Sequence, residues 1–192
     1  MGCLANAYFY ISLGYNVVLQ RLIKIPWYNR VDDVVILGAL PFRSYNHELV
    51  NEGVKGVVTA LEPHETKYWF NTKEEWRSIG IEQLVLSTPD WFSVPSDQQI
   101  KEGVDFILKF KDRKPPKSVY VHCKAGRSRS ATIVACYLIN IHNYTPEEAV
   151  NKLREIRPRV RILPRHMNAI ERYHKNYIIS PITNSIKNLM KE

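Results

Sequence analysis

Val119-Tyr-Val-His122-Cys123-Lys124-Ala125-Gly126-Arg127-Ser128-Arg129-Ser130 carries a hydrophobic β-type run into a short polar loop, then into the apolar stretch Ala131 to Ile141, which reads as a buried helix. The spacing describes a phosphate trap with a nucleophile in it. A loop running from Lys124 to Ser128 and opening a helix turns successive backbone N–H groups inward around phosphate oxygens. The same N–H groups, the helix N-terminus and nearby guanidinium charge favour thiolate over thiol at Cys123. Arg129 offers a planar fork to two phosphate oxygens. Ser130 can donate a hydrogen bond to the thiolate and help it leave, and Gly126 allows a turn that a side chain would obstruct. His122, at the strand end, is placed to fix the loop through a ring N–H bonded to backbone, and Lys124 and Arg127 add positive potential around the pocket rim. The plain alternative for Cys123 is a buried structural cysteine, and the loop chemistry outweighs it. Cys136, inside the apolar helix, keeps that structural reading.

Outward from this loop, hydrophobic strands alternate with helical segments. Val34 to Leu37, Val54 to Thr59 and Ile81 to Leu86 read as strands. Ser44 is expected to cap a short helix through Val50, Thr72 with Glu75 forms a capping box, and Ser96 opens a helix to Phe110 with Ile100, Val104, Ile107 and Leu108 on one face. Thr145-Pro146-Glu147-Glu148 starts another helix, and Pro164 the last. The pattern predicts an α/β fold with a central, mostly parallel sheet flanked by helices, the phosphate loop joining the last central strand to a buried helix.

Hydrolysis through cysteine also needs an acid for the leaving oxygen and a water to release the phosphoenzyme. Asp90 is the chosen acid. It lies in the proline-flanked loop after the strand ending at Leu86, so it projects from the same sheet edge as Cys123, where open α/β sheets bind ligands. A turn residue beside Pro89 is the plain alternative. Asp97, the local competitor, fits the first turn of its helix better. Trp91 and Phe92, beside the acid, are candidates for a pocket cover or for core packing.

The chain has 192 residues, 45% of them hydrophobic, and a formal net charge of +8. One domain with terminal extensions follows: residues 1–25 as a hydrophobic targeting or membrane-associating segment, 26–178 as the catalytic domain and 179–192 as a tail. Residues 1–25 contain no acidic residue, but Asn6, Ser12 and Asn16 keep the apolar run below the roughly 18 or more residues of a spanning helix. A weak anchor, a lipidated Cys3 despite a poor myristoylation context at Gly2, and an amphipathic segment packed on its own domain all remain open. The cysteine spacing suggests neither disulfides nor a metal site, so no metal or cofactor is expected, and the proposed role of Cys123 needs a reducing compartment. The positive charge favours an anionic phospholipid, a membrane surface or phosphoprotein over nucleic acid, for which no motif is present. Arg154, Arg157, Arg159, Arg161 and Arg165 are equally well explained as a solvated surface. A monomer is expected.

The pattern His-Cys, five residues, Arg-Ser resembles the cysteine-dependent protein tyrosine and dual-specificity phosphatases. Asn29-Arg-Val-Asp32, Leu37-Gly-Ala-Leu-Pro41, Glu75-Trp76, Leu86-Ser-Thr88 with Asp90, His122 through Thr132, Pro146-Glu-Glu-Ala149 and Ile156-Arg157 are further similar to the mitochondrial phosphatidylglycerophosphate phosphatases. The resemblance covers roughly residues 27 to 177. It implies the compact cysteine-phosphatase fold and hydrolysis of phosphatidylglycerophosphate to phosphatidylglycerol on the way to cardiolipin, at the matrix face of the mitochondrial inner membrane, without a metal. Cys123 is then the nucleophile, Arg129 the phosphate binder and Asp90 the acid. A cytoplasmic or other membrane-associated site is the alternative location. A dual-specificity phosphoprotein phosphatase would use the same residues, and a silent phosphate-binding scaffold would have no need of both a nucleophile and an acid.

Overall fold

The computed structural model describes residues 9–15, 17–18, 22, 25–90, 93–113, 117–181 and 183. Gly2, Cys3, Trp91, Phe92 and the tail beyond 183 lie outside the described residues.

Ser118–His122 forms the central strand β5, buried along its whole length. It runs parallel to β2 (Val35–Gly38) on one side and β3 (Val54–Thr59) on the other, with β4 (Glu82–Val85) parallel beyond β3. Such continuous apolar strands belong in a parallel sheet covered on both faces. The short edge strand β1 (Tyr28–Arg30) pairs antiparallel with β2, completing the order β1-β2-β5-β3-β4. Nothing in its three residues alternates strongly enough to have announced it.

Register pairs Val57 with Tyr120 and Thr59 with His122 on the face where Phe70 packs, its ring 5.1 Å from that of His122. Gly56 pairs with Val119 on the opposite face, where a β-carbon would press on Phe106 and Phe110. Those phenylalanines belong to α3 (Asp97–Lys111), which follows α1 (Asn46–Asn51) and α2 (Lys73–Ser78). After β5 come α4 (Arg129–His142), α5 (Pro146–Ile156) and α6 (Pro164–His174). Helix α4 is buried from Arg129 through Ile139, with α3, α5 and α6 packed around it.

Capping boxes open α2 at Thr72, α3 at Ser96 and α5 at Thr145, as the sequence spacing predicts. Ser44 departs from expectation. A 3-10 turn, Arg43–Tyr45, precedes α1, so Ser44 sits inside the tight turn and Tyr45 occupies the N-cap without a side-chain bond. Residues 9–15 are helical, with Phe9 and Leu13 buried in the core and Ile11 and Tyr15 facing outward. Among the described residues no helix is long and apolar enough to cross a membrane.

Candidate active site

The loop after β5 is clamped from both neighbouring strands. The Ala60 N–H, just past β3, donates to the His122 carbonyl (2.9 Å), and the Leu40 N–H, just past β2, donates to the Lys124 carbonyl (3.2 Å). Gly126 adopts φ 63°, and a β-carbon there would lie 2.3 Å from the Gly38 carbonyl oxygen. Glycine is required twice over, by backbone conformation and by the close approach of β2.

From beneath, the loop rests on Arg157, only 3% exposed. Its Nε donates to the Gly126 carbonyl (3.0 Å) and its Nη2 to the Ala125 (3.1 Å) and Trp27 (3.3 Å) carbonyls. Its Nη1 donates to Asn29 Oδ1 (2.7 Å) and the Pro26 carbonyl (3.2 Å). The solvated-surface reading of Arg157 is therefore wrong, because a planar fork of donors satisfies carbonyls that the loop turns away from its anion-facing side. Along the outer wall, Ser128 Oγ donates to the Arg161 carbonyl (2.7 Å), the Arg161 N–H to the Arg127 carbonyl (2.8 Å), and Arg127 Nε to the Arg159 carbonyl (3.2 Å). The segment 159–161 is thus laced to the loop, bringing Arg159 and Arg161 within electrostatic reach of Arg127. Because Ser128 spends its hydroxyl there, no side chain caps α4, and its first-turn N–H groups are directed at the loop interior.

Cys123 sits at the centre, 4% exposed, and Ser130 Oγ donates to its Sγ at 3.2 Å. Burial pushes its thiol up. The charge of Arg129, the Ser130 hydroxyl and the backbone N–H groups of Ser130 and Arg127 outweigh that burial and hold the thiol below its ordinary value. Cys136, in α4, has no such company and is pushed well above the ordinary value, chiefly by burial.

His122 is fully buried, and burial, opposed by its bond to the Cys123 carbonyl, pushes it down to about 3. It is therefore neutral at physiological pH. Gln83 Nε2 donates to Thr59 Oγ1 (3.0 Å), which leaves the Thr59 hydroxyl to donate to His122 Nε2 (3.0 Å) and His122 Nδ1–H to donate to the Cys123 carbonyl (3.3 Å). This chain locks the strand end that carries the sulfur.

Arg129 is oriented by a residue that the sequence did not single out. Glu65 lies in the 3-10 turn Pro63–Thr66, 2% exposed, and accepts from Arg129 Nη1 (2.9 Å) and Nη2 (3.2 Å). The Thr88 carbonyl takes a second bond from Nη1 (2.8 Å). Glu62-Pro63 with Glu65 is a legible capping pattern, and the Glu62 N–H does donate to Glu65 Oε2 (2.8 Å). That the same carboxylate reaches Arg129 is visible only in three dimensions. Replacing Glu65 with glutamine removes the counter-charge that aims the fork, and kcat/KM for a small phosphomonoester is expected to fall about 10- to 100-fold. Steady-state phosphate release checks this; undiminished activity would mean that the Thr88 carbonyl and Asp90 hold the guanidinium without the Glu65 charge.

Asp90 arrives at the same edge. Its Oδ1 lies 3.2 Å from Arg129 Nη2, and its Oδ2 forms a close ion pair with Lys124 Nζ. Lys124 is consequently no outer-rim residue; it is 9% exposed, with Nζ 5.4 Å from the centre of the Phe9 ring. Asp97 lies elsewhere, paired with Arg172 of α6 (2.8 Å). The structure thus gathers Cys123, Asp90, Arg129 and Ser130 around one loop made by Lys124, Ala125, Gly126, Arg127 and Ser128. A thiolate, inward N–H groups, a guanidinium and a carboxyl group within one pocket can perform nucleophilic displacement at a phosphate.

Comparison with known proteins agrees. The family model for the dual specificity phosphatase catalytic domain matches residues 50–176. The "Phosphatidylglycerophosphatase and protein-tyrosine phosphatase 1" of Rattus norvegicus is 46% identical over 176 residues, covering 90% of each chain. The "Phosphatidylglycerophosphate phosphatase PTPMT1" of Arabidopsis thaliana is 41% identical over 175 residues, 91% of this chain and 50% of the plant protein. The crystal structure of PTPMT1 in complex with PI(5)P superposes with a TM-score of 0.75 at 46% identity, covering 78% of this chain and 96% of that one. With a matching family model, near full-length relatives and a thiol of lowered pKa in a phosphate loop, the chain belongs to the dual-specificity phosphatases and is a cysteine-dependent enzyme of phosphoester hydrolysis.

Proposed function

We propose that this phosphatase removes the terminal phosphate of phosphatidylglycerophosphate, yielding phosphatidylglycerol for cardiolipin synthesis. The observation that carries the reading is the 46% identity across 90% of both chains with a rat protein named for that activity. In the proposed reaction, Cys123 Sγ attacks phosphorus while Arg129 and the backbone N–H groups of residues 124–129 hold the phosphoryl oxygens. Asp90, as a carboxylic acid, protonates the leaving glycerol oxygen. As a carboxylate it then takes a proton from the water that cleaves the cysteinyl phosphate, and Ser130 stabilises the departing thiolate. His122 and Glu65 position these groups without touching substrate.

The net charge of +8 and the apolar N-terminal segment support an enzyme working at an anionic membrane surface, which we take as a monomer with residues 1–25 as the membrane-associating part, 26–178 as the catalytic domain and 179–192 as the tail. The matrix face of the mitochondrial inner membrane is the proposed location. A phosphoprotein substrate is the second reading, favoured by the other half of the rat relative's name.

The test is phosphate release from micellar phosphatidylglycerophosphate beside phosphotyrosine and phosphothreonine peptides. The lipid is expected to be preferred by about tenfold or more in kcat/KM. Asp90→Ala is expected to lower kcat on the lipid by about 10²- to 10⁴-fold with KM largely kept. A peptide preference would replace the lipid reading, and unchanged turnover in Asp90→Ala would move the acid role elsewhere.

A further inference from the structure

A groove of about 590 Å³ runs between the helical stretch that includes residues 9–15, 17 and 18 and the body of the domain. That volume lies within the range of roughly 300–1,000 Å³ typical of small-molecule sites. Its helix side is made by Tyr10, Leu13, Gly14, Val17 and Val18, and its domain side by Phe42, Trp69, Arg43 and Ser44. These walls are ordered by packing of their own. Tyr10 meets Trp69 edge to face at 5.3 Å, and Phe42 stacks on Trp27 at 5.5 Å. At Gly14 a β-carbon would meet nothing within 4 Å, so the absence of a side chain there keeps the groove open.

We propose that this groove holds an acyl chain of the phospholipid whose phosphate occupies the loop at Cys123, an assignment that rests on the lipid reading above. Three observations favour this occupant. The first is proximity to the active site. Phe9, one turn before Leu13 on the same helix, sits against Lys124, the loop residue paired with Asp90. Leu13 and Val17 therefore lie about 6 and 12 Å further along the helix axis, a stretch comparable to the glycerol and phosphodiester that separate the terminal phosphate from the acyl esters.

The second is chemistry. The one charged residue of the lining, Arg43, spends its guanidinium on Glu75 (2.9 Å) and the Tyr68 carbonyl (2.8 Å), and Tyr10 turns its hydroxyl to the His64 carbonyl (3.4 Å). A peptide would bring backbone N–H and C=O groups into walls with few partners for them, whereas a methylene chain brings none. The third is supply. Ile11, Tyr15 and Leu22 are 73%, 63% and 76% exposed, and Val18 and Trp69, both at the groove, are 53% and 52% exposed. An apolar outer face of this kind lies at the level where acyl chains are available.

A β-carbon at Gly14 meets nothing within 4 Å at the groove lining, so Gly14→Leu adds an apolar side chain there, and leucine is the better helix former, so the variant is expected to fold. Two readouts follow. The ratio of kcat/KM for dipalmitoyl over dibutanoyl phosphatidylglycerophosphate, in nonionic detergent, is expected to fall about tenfold or more. Calorimetric binding of palmitoyl lysophosphatidylglycerol, below its micelle concentration, to the Cys123→Ser protein is expected to weaken by a similar factor when Gly14→Leu is added. If the lipid is preferred over peptides but Gly14→Leu changes neither readout, the groove assignment is overturned and the substrate assignment stands. If peptides are preferred but lysolipid binding still requires Gly14, the groove stands and the substrate assignment falls. If Ile11→Asp rather than Gly14→Leu removes the long-chain preference, the outer face alone engages lipid and the groove proposal is wrong.

Discussion

Phosphate release by the Cys123→Ser variant is expected to be at least about 10⁴-fold slower than that of the unaltered enzyme, with substrate binding largely kept. The size of the loss follows from what the pocket does to sulfur. Burial alone would disfavour the anion, yet Arg129, the Ser130 hydroxyl and two backbone N–H groups together bring the thiol below its ordinary 9.0. The same donors around a serine hydroxyl, whose acidity is many orders weaker, cannot supply an alkoxide at neutral pH. Binding survives because the N–H cradle and the Arg129 fork do not depend on the sulfur. The pH profile carries the sign of the argument. Activity through the thiolate rises as pH rises through the thiol's folded value, and since that value is depressed, the rise lies at lower pH than it would for an ordinary cysteine. Single-turnover phosphate release, followed against pH, reads both quantities. Residual turnover above a few per cent in Cys123→Ser would place the nucleophile elsewhere.

Arg157→Ala is expected to be the most damaging change for stability, at about 3–5 kcal/mol. Among the described residues, no hydrogen-bond partner of Arg157 is a carboxylate. Its acceptors are four carbonyls and the Asn29 amide oxygen, from the phosphate loop, the chain entering β1 and β1 itself. Alanine strips the buried Gly126 carbonyl and the partly buried Ala125 and Asn29 oxygens of these bonds and opens a hole beneath Gly126, while the Trp27 carbonyl keeps its bond from the Ala39 N–H (3.0 Å). For a domain of this size the loss corresponds to a drop in Tm of roughly 10 °C, measurable by calorimetry. Lysine should not restore it, since a single ammonium cannot bridge acceptors on both sides of a planar fork. A shift within about 1 °C would mean that water replaces the guanidinium at little cost.

The legible parts of this protein share one physical property, that their causes lie close together in the chain. Cys123, Gly126, Arg129 and Ser130 are brought together by a strand, a turn and the first turn of a helix, so backbone geometry alone sets their relative positions. The caps at Thr72, Ser96 and Thr145 are likewise three-residue events. Asp90 was reachable by one further step, because the sheet order puts its loop at the edge where β5 ends.

Where the causes are distant, local reading failed or stayed silent. Arg157 looked like a member of a solvated basic run and is instead the buried support of the loop, because its burial is decided by residues 25 to 30 and 125 to 126. Glu65 announced a turn through its capping pattern but not its grip on Arg129, 64 residues away. Ser44 offered a plausible cap that the tighter turn around it did not use. The sequence by itself determined a parallel α/β sheet and a cysteine phosphate loop, because those depend on periodicity and short spacing. Only the tertiary structure decided which charges hold Arg129 and the loop in place, and that the N-terminal helix shelters an open apolar groove beside them, because burial and counter-charge belong to segments that meet only once the chain has folded.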